Sequence, residues 1–401
     1  MGVRYERAMS ETANIDGIVD PRFRRVDMAF RENFASRGEL GAAITVIVDG
    51  QTVVDLWGGI ADHRTKRPWT RDTLTLIFSA TKGATALCAH ILESRGQLDL
   101  DLPVTTYWPE FGAAGKQDIP VRMLLNHQAG LPAIIEPLPP DTIFDWQTMA
   151  QALAAQSPSW PPGTRHGYHA MTFGILVGEV IRRISGKSVG RFLRDEVAGP
   201  LDLELWIGLP EHLEERMSRL RLAPYTGEST PFMSTLMNRD SLTSKAFLNP
   251  RGLMMPGQAN SRAVHAAEIP AANGIGTARA LAGMYAPLAC GGALGGVELV
   301  DAHTLATMSR VESEGPDEIL LLPTRFASGF MKSVDNRPGS SALLGPNAEA
   351  FGHTGAGGSI GMADPAARVA VGYVMNQLGA GVLLNERGQR LVDAVYESLG
   401  A

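Results

Sequence analysis

A serine followed three residues later by a lysine can carry nucleophilic chemistry, and Ser79-Ala80-Thr81-Lys82 offers that pair. Leu74 to Phe78 form a short apolar run upstream of it. Downstream, Ala84, Leu87, Cys88, Ile91 and Leu92 recur at the i, i+3, i+4, i+7 and i+8 spacing of a buried helical stripe, and Gly96 after Arg95 supplies a stop. Ser79 is therefore expected at the start of a core helix, where free N–H groups and the helix dipole favour a developing anion. The spacing puts the Lys82 amine on the same face as the Ser79 hydroxyl. In apolar surroundings desolvation would lower the lysine pKa until the amine could accept the serine proton. Taken alone, S-x-x-K is common by chance, and an N-cap serine beside a solvated lysine is the simpler account of it.

Two further segments add reactive groups. The Pro/Gly turn over 160–170 presents Tyr168 just before an apolar helical pattern from about Met171 to Ile184. The Gly-rich stretch 351–361 contains His353-Thr354-Gly355 and enters a strand, a place where backbone can approach a ligand closely. Rival sites are weaker. Gly357-Gly358-Ser359-Ile360-Gly361 fits the nucleophile elbow G-x-S-x-G, but in that fold the histidine follows the serine, and the last histidine here is His353. His166 and His169 lack a carboxylate or cysteine cluster, so loop roles are expected and no metal. Gly355-Ala356-Gly357 opens like a dinucleotide fingerprint, yet Ile360 stands in the third glycine's place and no cofactor is expected. His127 is expected to anchor a turn.

The elements that must position these groups follow from pattern. Asp20-Pro21 begins a helix whose apolar face carries Phe23, Val26, Phe30 and Phe34, closed by Gly38. Residues 43–48 and 52–57 flank Asp49-Gly50 as a β-hairpin. Helical patterns alternate with Pro/Gly-rich loops from about 98 to 270, including one over 120–127. The span from Thr226 to Ala272 reads as irregular and is placed over a binding site. A helix is expected from Ile275 to Leu288, strands over 359–364 and 368–375, and a terminal helix from Leu383 to Leu399. The resulting fold class is α/β of the α+β type: an antiparallel sheet built from both chain termini, flanked by helices, with an inserted mostly helical domain. The expected division is 1–78 with 271–401 for the sheet part and 79–270 for the helical part, with the site in the cleft between them.

Composition narrows the function class. With 44% hydrophobic and 19% charged residues the chain is an ordinary globular protein, and 401 residues suffice for two domains. A net charge of −6 and the lack of a basic run speak against nucleic-acid binding. Two cysteines are too few for a disulfide framework. No apolar stretch is long enough to span a membrane, and the first ten residues lack the apolar core of a secretory signal, so a cytoplasmic protein is expected.

Serine nucleophile, lysine, tyrosine and an H-T-G strand, in this order and spacing, resemble the penicillin-recognising serine enzymes of the β-lactamase superfamily, whose S-x-x-K and K-T-G motifs they match. Further matching stretches are Leu124 to Pro132, Gly186 to Leu193 with Pro200 to Leu203, and Ala267 to Arg279. The chain is most similar to the family VIII carboxylesterases, from about Gly41 to Val374. The resemblance implies Ser79 as the acylated nucleophile, with Lys82 and Tyr168 as the proton-handling pair. It implies an oxyanion hole from the N–H groups of Ser79 and Ala356. It places His353, Thr354, Gly355 and Ala170 at the substrate. Phe247 and Met254, from the covering segment, are added as apolar contacts. His353 stands where β-lactamases carry lysine. Ala170 stands where a Tyr-x-Asn motif would place asparagine, which weakens recognition of an amide substrate. A small-molecule carboxylic ester is the expected substrate. A β-lactamase, DD-peptidase or D-amino-acid amidase activity, or a non-catalytic binding protein, remain the alternatives.

Overall fold

The hairpin around Asp49-Gly50 is the seed of the main sheet. Both turn residues take positive φ, 49° and 75°, as a tight turn between twisted strands demands. Its arms are Gly41–Val48 and Gln51–Asp62. The computed structural model describes residues 13–222, 230–253, 255, 257–336, 344–379, 381 and 383–400. Among these, the sheet has ten strands. Their order is Ile15–Val19, Gln51–Asp62, Gly41–Val48, Val369–Met375, Ile360–Asp364, Phe351–Thr354, Met331–Lys332, Pro323–Phe326 and Ser313–Pro316, with Arg67–Pro68 attached to Gln51–Asp62. Every pairing is antiparallel. The two ends of the chain meet in mid-sheet, where Val369–Met375 runs against Gly41–Val48 from Val369↔Val48 to Met375↔Ala42.

Alternation along the central strands feeds two cores. Val369, Val371, Tyr373 and Met375 face one core, together with Phe23, Val26 and Phe30 and with Leu391, Val392 and Val395 of the terminal helix Glu386–Leu399. Ala370 and Val374 face the other, where the helices Ala278–Ala289 and Thr81–Ser94 pack. Small residues let the former come close. A Cβ on Gly372 would lie 2.3 Å from the Ala278 carbonyl oxygen, so helix backbone rests almost directly on the strand.

Several elements depart from the sequence pattern. Ile15–Val19, Ser313–Pro316, Pro323–Phe326 and Met331–Lys332 are strands where none was expected. They are two to five residues long, and all but the buried pair Met331–Lys332 also carry Gly17, Pro316 or Pro323, so no period-2 signal develops. The helix expected from Ile275 begins at Ala278. Gly274–Gly276 is instead a short strand, and Thr277 caps the helix by accepting the Ala280 N–H at 3.1 Å. The expected irregular span contains the helices Pro231–Met237, Leu242–Leu248 and Arg262–Ala266, each opened by a Ser or Thr cap. Its residues 226–229 lie outside the described residues. The terminal helix starts at Glu386, capped by Asn385.

A buried ion pair ties the segment before Gly41–Val48 to the terminal helix. Arg387 Nη1 donates to Glu39 Oε1 at 2.8 Å, with side-chain exposures of 5% and 0%. The Tyr373 hydroxyl donates to the other Glu39 oxygen, and Arg387 Nη2 donates to the Gln377 carbonyl at 2.6 Å. Burial pushes the Glu39 carboxyl up to about 7, while Arg387 and the tyrosine hydroxyl pull the other way. A carboxyl raised in the folded state gives its full stabilisation below the unfolded carboxyl range and loses it as pH rises through about 7. Arg387→Met, which strands Glu39, should therefore cost about 3–5 kcal/mol at pH 8 and distinctly less at pH 5, measured by urea unfolding. Equal losses at the two pH values would show that Glu39 is not the strained group.

Candidate active site

The short strand Thr75–Phe78 delivers the serine. It pairs with Gly274–Gly276, which also pairs with Leu205–Trp206. Phe78, the last strand residue, sits at φ 47°, a left-handed conformation that a bulky residue adopts only when its surroundings hold it there. The holding bonds are local. The Thr81 hydroxyl donates to the Phe78 carbonyl and accepts the Gly274 N–H at 2.7 Å, and the Ala80 N–H reaches the Ile77 carbonyl at 3.2 Å. The turn therefore projects Ser79 immediately before the helix Thr81–Ser94. Among the described residues, no acceptor is recorded for the Ser79 N–H.

Lys82 is fully buried one turn on. Its Nζ donates to the carbonyls of Ala170 at 2.8 Å and Ala271 at 2.9 Å, and lies 3.4 Å from Ser79 Oγ. Burial pushes its pKa well below the ordinary lysine value. Two N–H bonds of a neutral amine would go to the two carbonyls, leaving the lone pair for the serine. The amine also stands 4.6 Å from the centre of the Tyr168 ring.

Tyr168 comes from the 160–170 turn. Burial holds its phenol above the ordinary value, with Ser79 as a smaller opposing influence. Its ring stacks on Phe326 at 6.1 Å and leans on His127 at 5.0 Å and His353 at 6.1 Å. The turn is fastened by histidines. His127, itself at φ 65°, accepts the Gly167 N–H on its carbonyl and the His169 N–H on Nδ1, both at 3.1 Å. His169 donates from Nδ1 to the Gly167 carbonyl at 2.7 Å and accepts the Leu131 N–H on Nε2, and burial lowers it to about 3, so it is neutral. His166 contacts the Thr324 hydroxyl at 2.8 Å. Among the described residues no group of three His, Cys, Asp or Glu could hold a metal.

The third wall is the strand Phe351–Thr354 and the glycine turn after it. Gly355 lies against the serine strand: a Cβ there would be 2.2 Å from both the Ile77 carbonyl and Ser359 Oγ. Ser359 donates to that same Ile77 carbonyl at 2.9 Å, so the G-x-S-x-G serine fastens two strands together. Asn385 Nδ2 and the Gly379 N–H both hold the Gly357 carbonyl, at 2.6 and 3.0 Å. No acceptor is recorded among the described residues for the Ala356 N–H. His353 donates from Nδ1 to the Thr354 carbonyl at 2.7 Å. Burial and then Lys82 lower it to about 3, leaving Nε2 as an acceptor. Thr354 donates to the Met331 sulfur at 3.3 Å.

Ser79, Lys82, Tyr168 and the 353–356 turn are thus brought together. Ala170 joins through its carbonyl on Lys82, and its methyl lies in an apolar cluster with Tyr168, Phe232, Ala246, Ile319 and Leu320. Phe247 packs at the edge of that cluster, 5.5 Å from the Phe232 ring. Met254 lies outside the described residues. Sequence reading passed over Asp317, Phe326 and Asn385, which brace Tyr168 and the glycine turn. No local motif marks them, since each acts from a loop, a short strand or a helix cap distant in the chain.

The chain matches the beta-lactamase family model over residues 26–395. It is 37% identical over 369 residues, 90% of this chain and 83% of the relative, to the esterase/beta-lactamase LipL of Mycobacterium tuberculosis. Its structure superposes with a TM-score of 0.87 on a family VIII carboxylesterase, 39% identical over 96% of this chain and 100% of the other. A penicillin-binding protein homologue from Caulobacter crescentus gives 0.86 at 38% identity, again covering 96% and 100%. No helix among the described residues is long and apolar enough to cross a membrane. On these matches the protein belongs to the beta-lactamase family and is a serine hydrolase built on that fold.

Proposed function

We propose that the protein hydrolyses short-chain carboxylic esters through an acyl-enzyme on Ser79, working in the cytoplasm. The observation that carries this reading is the desolvated Lys82 amine, whose two carbonyl partners leave its third direction for Ser79 Oγ at 3.4 Å. Esterase is also part of the description of the LipL relative and of the carboxylesterase neighbour.

In the acylation step Ser79 Oγ bonds to the ester carbonyl carbon while its proton passes to Lys82, with Tyr168 sharing the hydrogen bond. The carbonyl oxygen becomes an oxyanion and takes the N–H groups of Ser79 and Ala356. As the C–O bond to the alcohol breaks, the proton returns through Tyr168 to the leaving oxygen. Water then attacks the acyl carbon and gives its proton to the same pair, and Ser79 leaves with it, releasing the carboxylic acid. On this reading the site lies between the 1–78 and 271–401 part and the 79–270 part. Ala170 offers no side-chain hydrogen bond to an acylamino group, worth about 0.5–1.5 kcal/mol, and amides have the poorer leaving group. Esters are therefore favoured over lactams and D-alanyl peptides.

Nitrophenyl esters of graded length, run beside a chromogenic cephalosporin, test the substrate class. Short esters should turn over readily and the cephalosporin slowly or not at all. A lactam kcat/KM equal to that of the best ester would overturn the esterase reading. Ser79→Ala should abolish turnover in a folded protein, and intact-mass analysis with a slow ester should place one acyl group on the Ser79 peptide, none on that of Ser359.

The lysine makes a separate demand on pH. A lowered pKa means the amine is neutral above that value and protonated below it, so kcat should fall on acidification through an apparent pKa well under the free-lysine value of about 10.4, one belonging to the Lys82–Tyr168 pair jointly. Lys82→Arg keeps the charge and cannot release its proton near neutrality. It should lose about 10²-fold or more in kcat, and near-normal kcat would reduce Lys82 to a positioning charge.

A further inference from the structure

The Tyr168 main chain rests on a buried carboxylate that plays no part in the steps above. Asp317 has a fully buried side chain. Its Oδ1 accepts the N–H groups of Tyr168 at 3.0 Å, Ile319 at 2.8 Å and Leu320 at 2.8 Å, and its Oδ2 accepts Tyr168 N–H at 3.2 Å and the Thr324 hydroxyl at 3.1 Å. Burial raises the Asp317 carboxyl, and the N–H groups of Leu320, Tyr168 and Ile319, with His166, pull the other way. Donors converge on both oxygens, which is the pattern of an ionised carboxylate. Thr324, having given its proton to Asp317, receives Nε2–H from His166 at 2.8 Å, and that nitrogen lies 4.0 Å from Asp317 Oδ2. The same hairpin continues into Phe326, the residue stacked on the Tyr168 ring.

We propose that Asp317 is the positioning residue of Tyr168: its carboxylate holds the tyrosine main chain in place and sets a fixed negative charge against which the phenol would have to ionise. The proposal rests on the reading above, in which Tyr168 takes part in the chemistry. The other titratable groups facing Tyr168 are Lys82 from the serine helix, His127 from the turn after Arg122–Leu125 and His353 from the strand Phe351–Thr354. Burial lowers both histidines and leaves them neutral. Among these described neighbours Asp317 is the anion, and its charge adds to burial in holding the phenol proton. Tyr168 then works as an O–H group. The Ser79 proton goes to Lys82, and the phenol passes a proton on to the leaving oxygen while taking one from Lys82, so no phenolate builds up.

Asp317→Asn keeps the size and one acceptor oxygen while removing the charge. With a short nitrophenyl ester, kcat should fall about tenfold or more while KM stays within about twofold, because a displaced proton-transfer group acts on the transition state. The alkaline limb of the kcat–pH profile should move down by about one unit, since removing an anion at this range makes the phenol easier to ionise. A merely structural role would lower kcat or thermal stability without moving that limb. Should Asp317→Asn fail to fold, Thr324→Val removes one donor from the carboxylate and should give a smaller loss of kcat with the limb unmoved, because the charge remains. A folded Asp317→Asn with wild-type kcat and limb overturns the proposal, as does a Thr324→Val variant with wild-type kcat where Asp317→Asn is unfolded. Tyr168→Phe separates the two levels: full activity there overturns the tyrosine's part in the reaction and this proposal with it, whereas a strong loss beside an unaffected Asp317→Asn overturns the proposal alone.

Discussion

A lysine amine kept out of water beside a serine hydroxyl is the constraint on which the rest depends. In solvent the amine would be a cation and useless as a base. Buried, it needs partners that satisfy its N–H groups without a countercharge, because a carboxylate would restore the proton. The carbonyls of Ala170 and Ala271 meet that need. They come from segments about 90 and 190 positions further along the chain than Lys82, so the chemistry of one side chain requires three separate parts of the chain to converge. The histidines around it are held neutral by the same burial, so they add no charge to compete with the lysine.

The sheet supplies that convergence. Pairing of Val369–Met375 with Gly41–Val48 closes the two chain ends together, and the strands added beside them bring the glycine turn 355–358 against the serine strand. Contact there is close: Gly355 leaves no room for a side chain over the Ile77 carbonyl, and the Ser359 hydroxyl bonds that same carbonyl. The strained Phe78 turn is tolerable because Thr81, Gly274 and Ile77 satisfy its polar groups from neighbouring elements. The buried pair Glu39–Arg387 holds the terminal helix on this sheet, and Asn385 at the start of that helix braces the glycine turn. Fold stability and site geometry are thus carried by overlapping groups.

Much of this was legible in the sequence, for identifiable reasons. The serine helix showed because its apolar stripe is long and regular, and the hairpin because Asp-Gly between alternating β-branched residues has few other uses. The reactive groups showed because their types are distinctive and their order along the chain repeats a known superfamily. The short strands toward the two ends of the sheet did not show, since two to five residues, most with glycine or proline among them, carry no period. The capped helices within 231–266 were also hidden, each being too short for an amphipathic pattern to emerge.

What the sequence determined by itself was local: which stretches bury a face, where a turn is forced, and which side chains are able to act as nucleophile, base and hydrogen-bond donor. Only the tertiary structure decided their states. It made Lys82 a desolvated amine and His353 a neutral acceptor, assigned Ser359 to fastening and Ala170 to holding the lysine, and set Asp317 under Tyr168. The reason is physical. Propensity and periodicity act between residues a few positions apart, whereas desolvation and hydrogen bonding act across a few ångströms of space, whatever the separation along the chain.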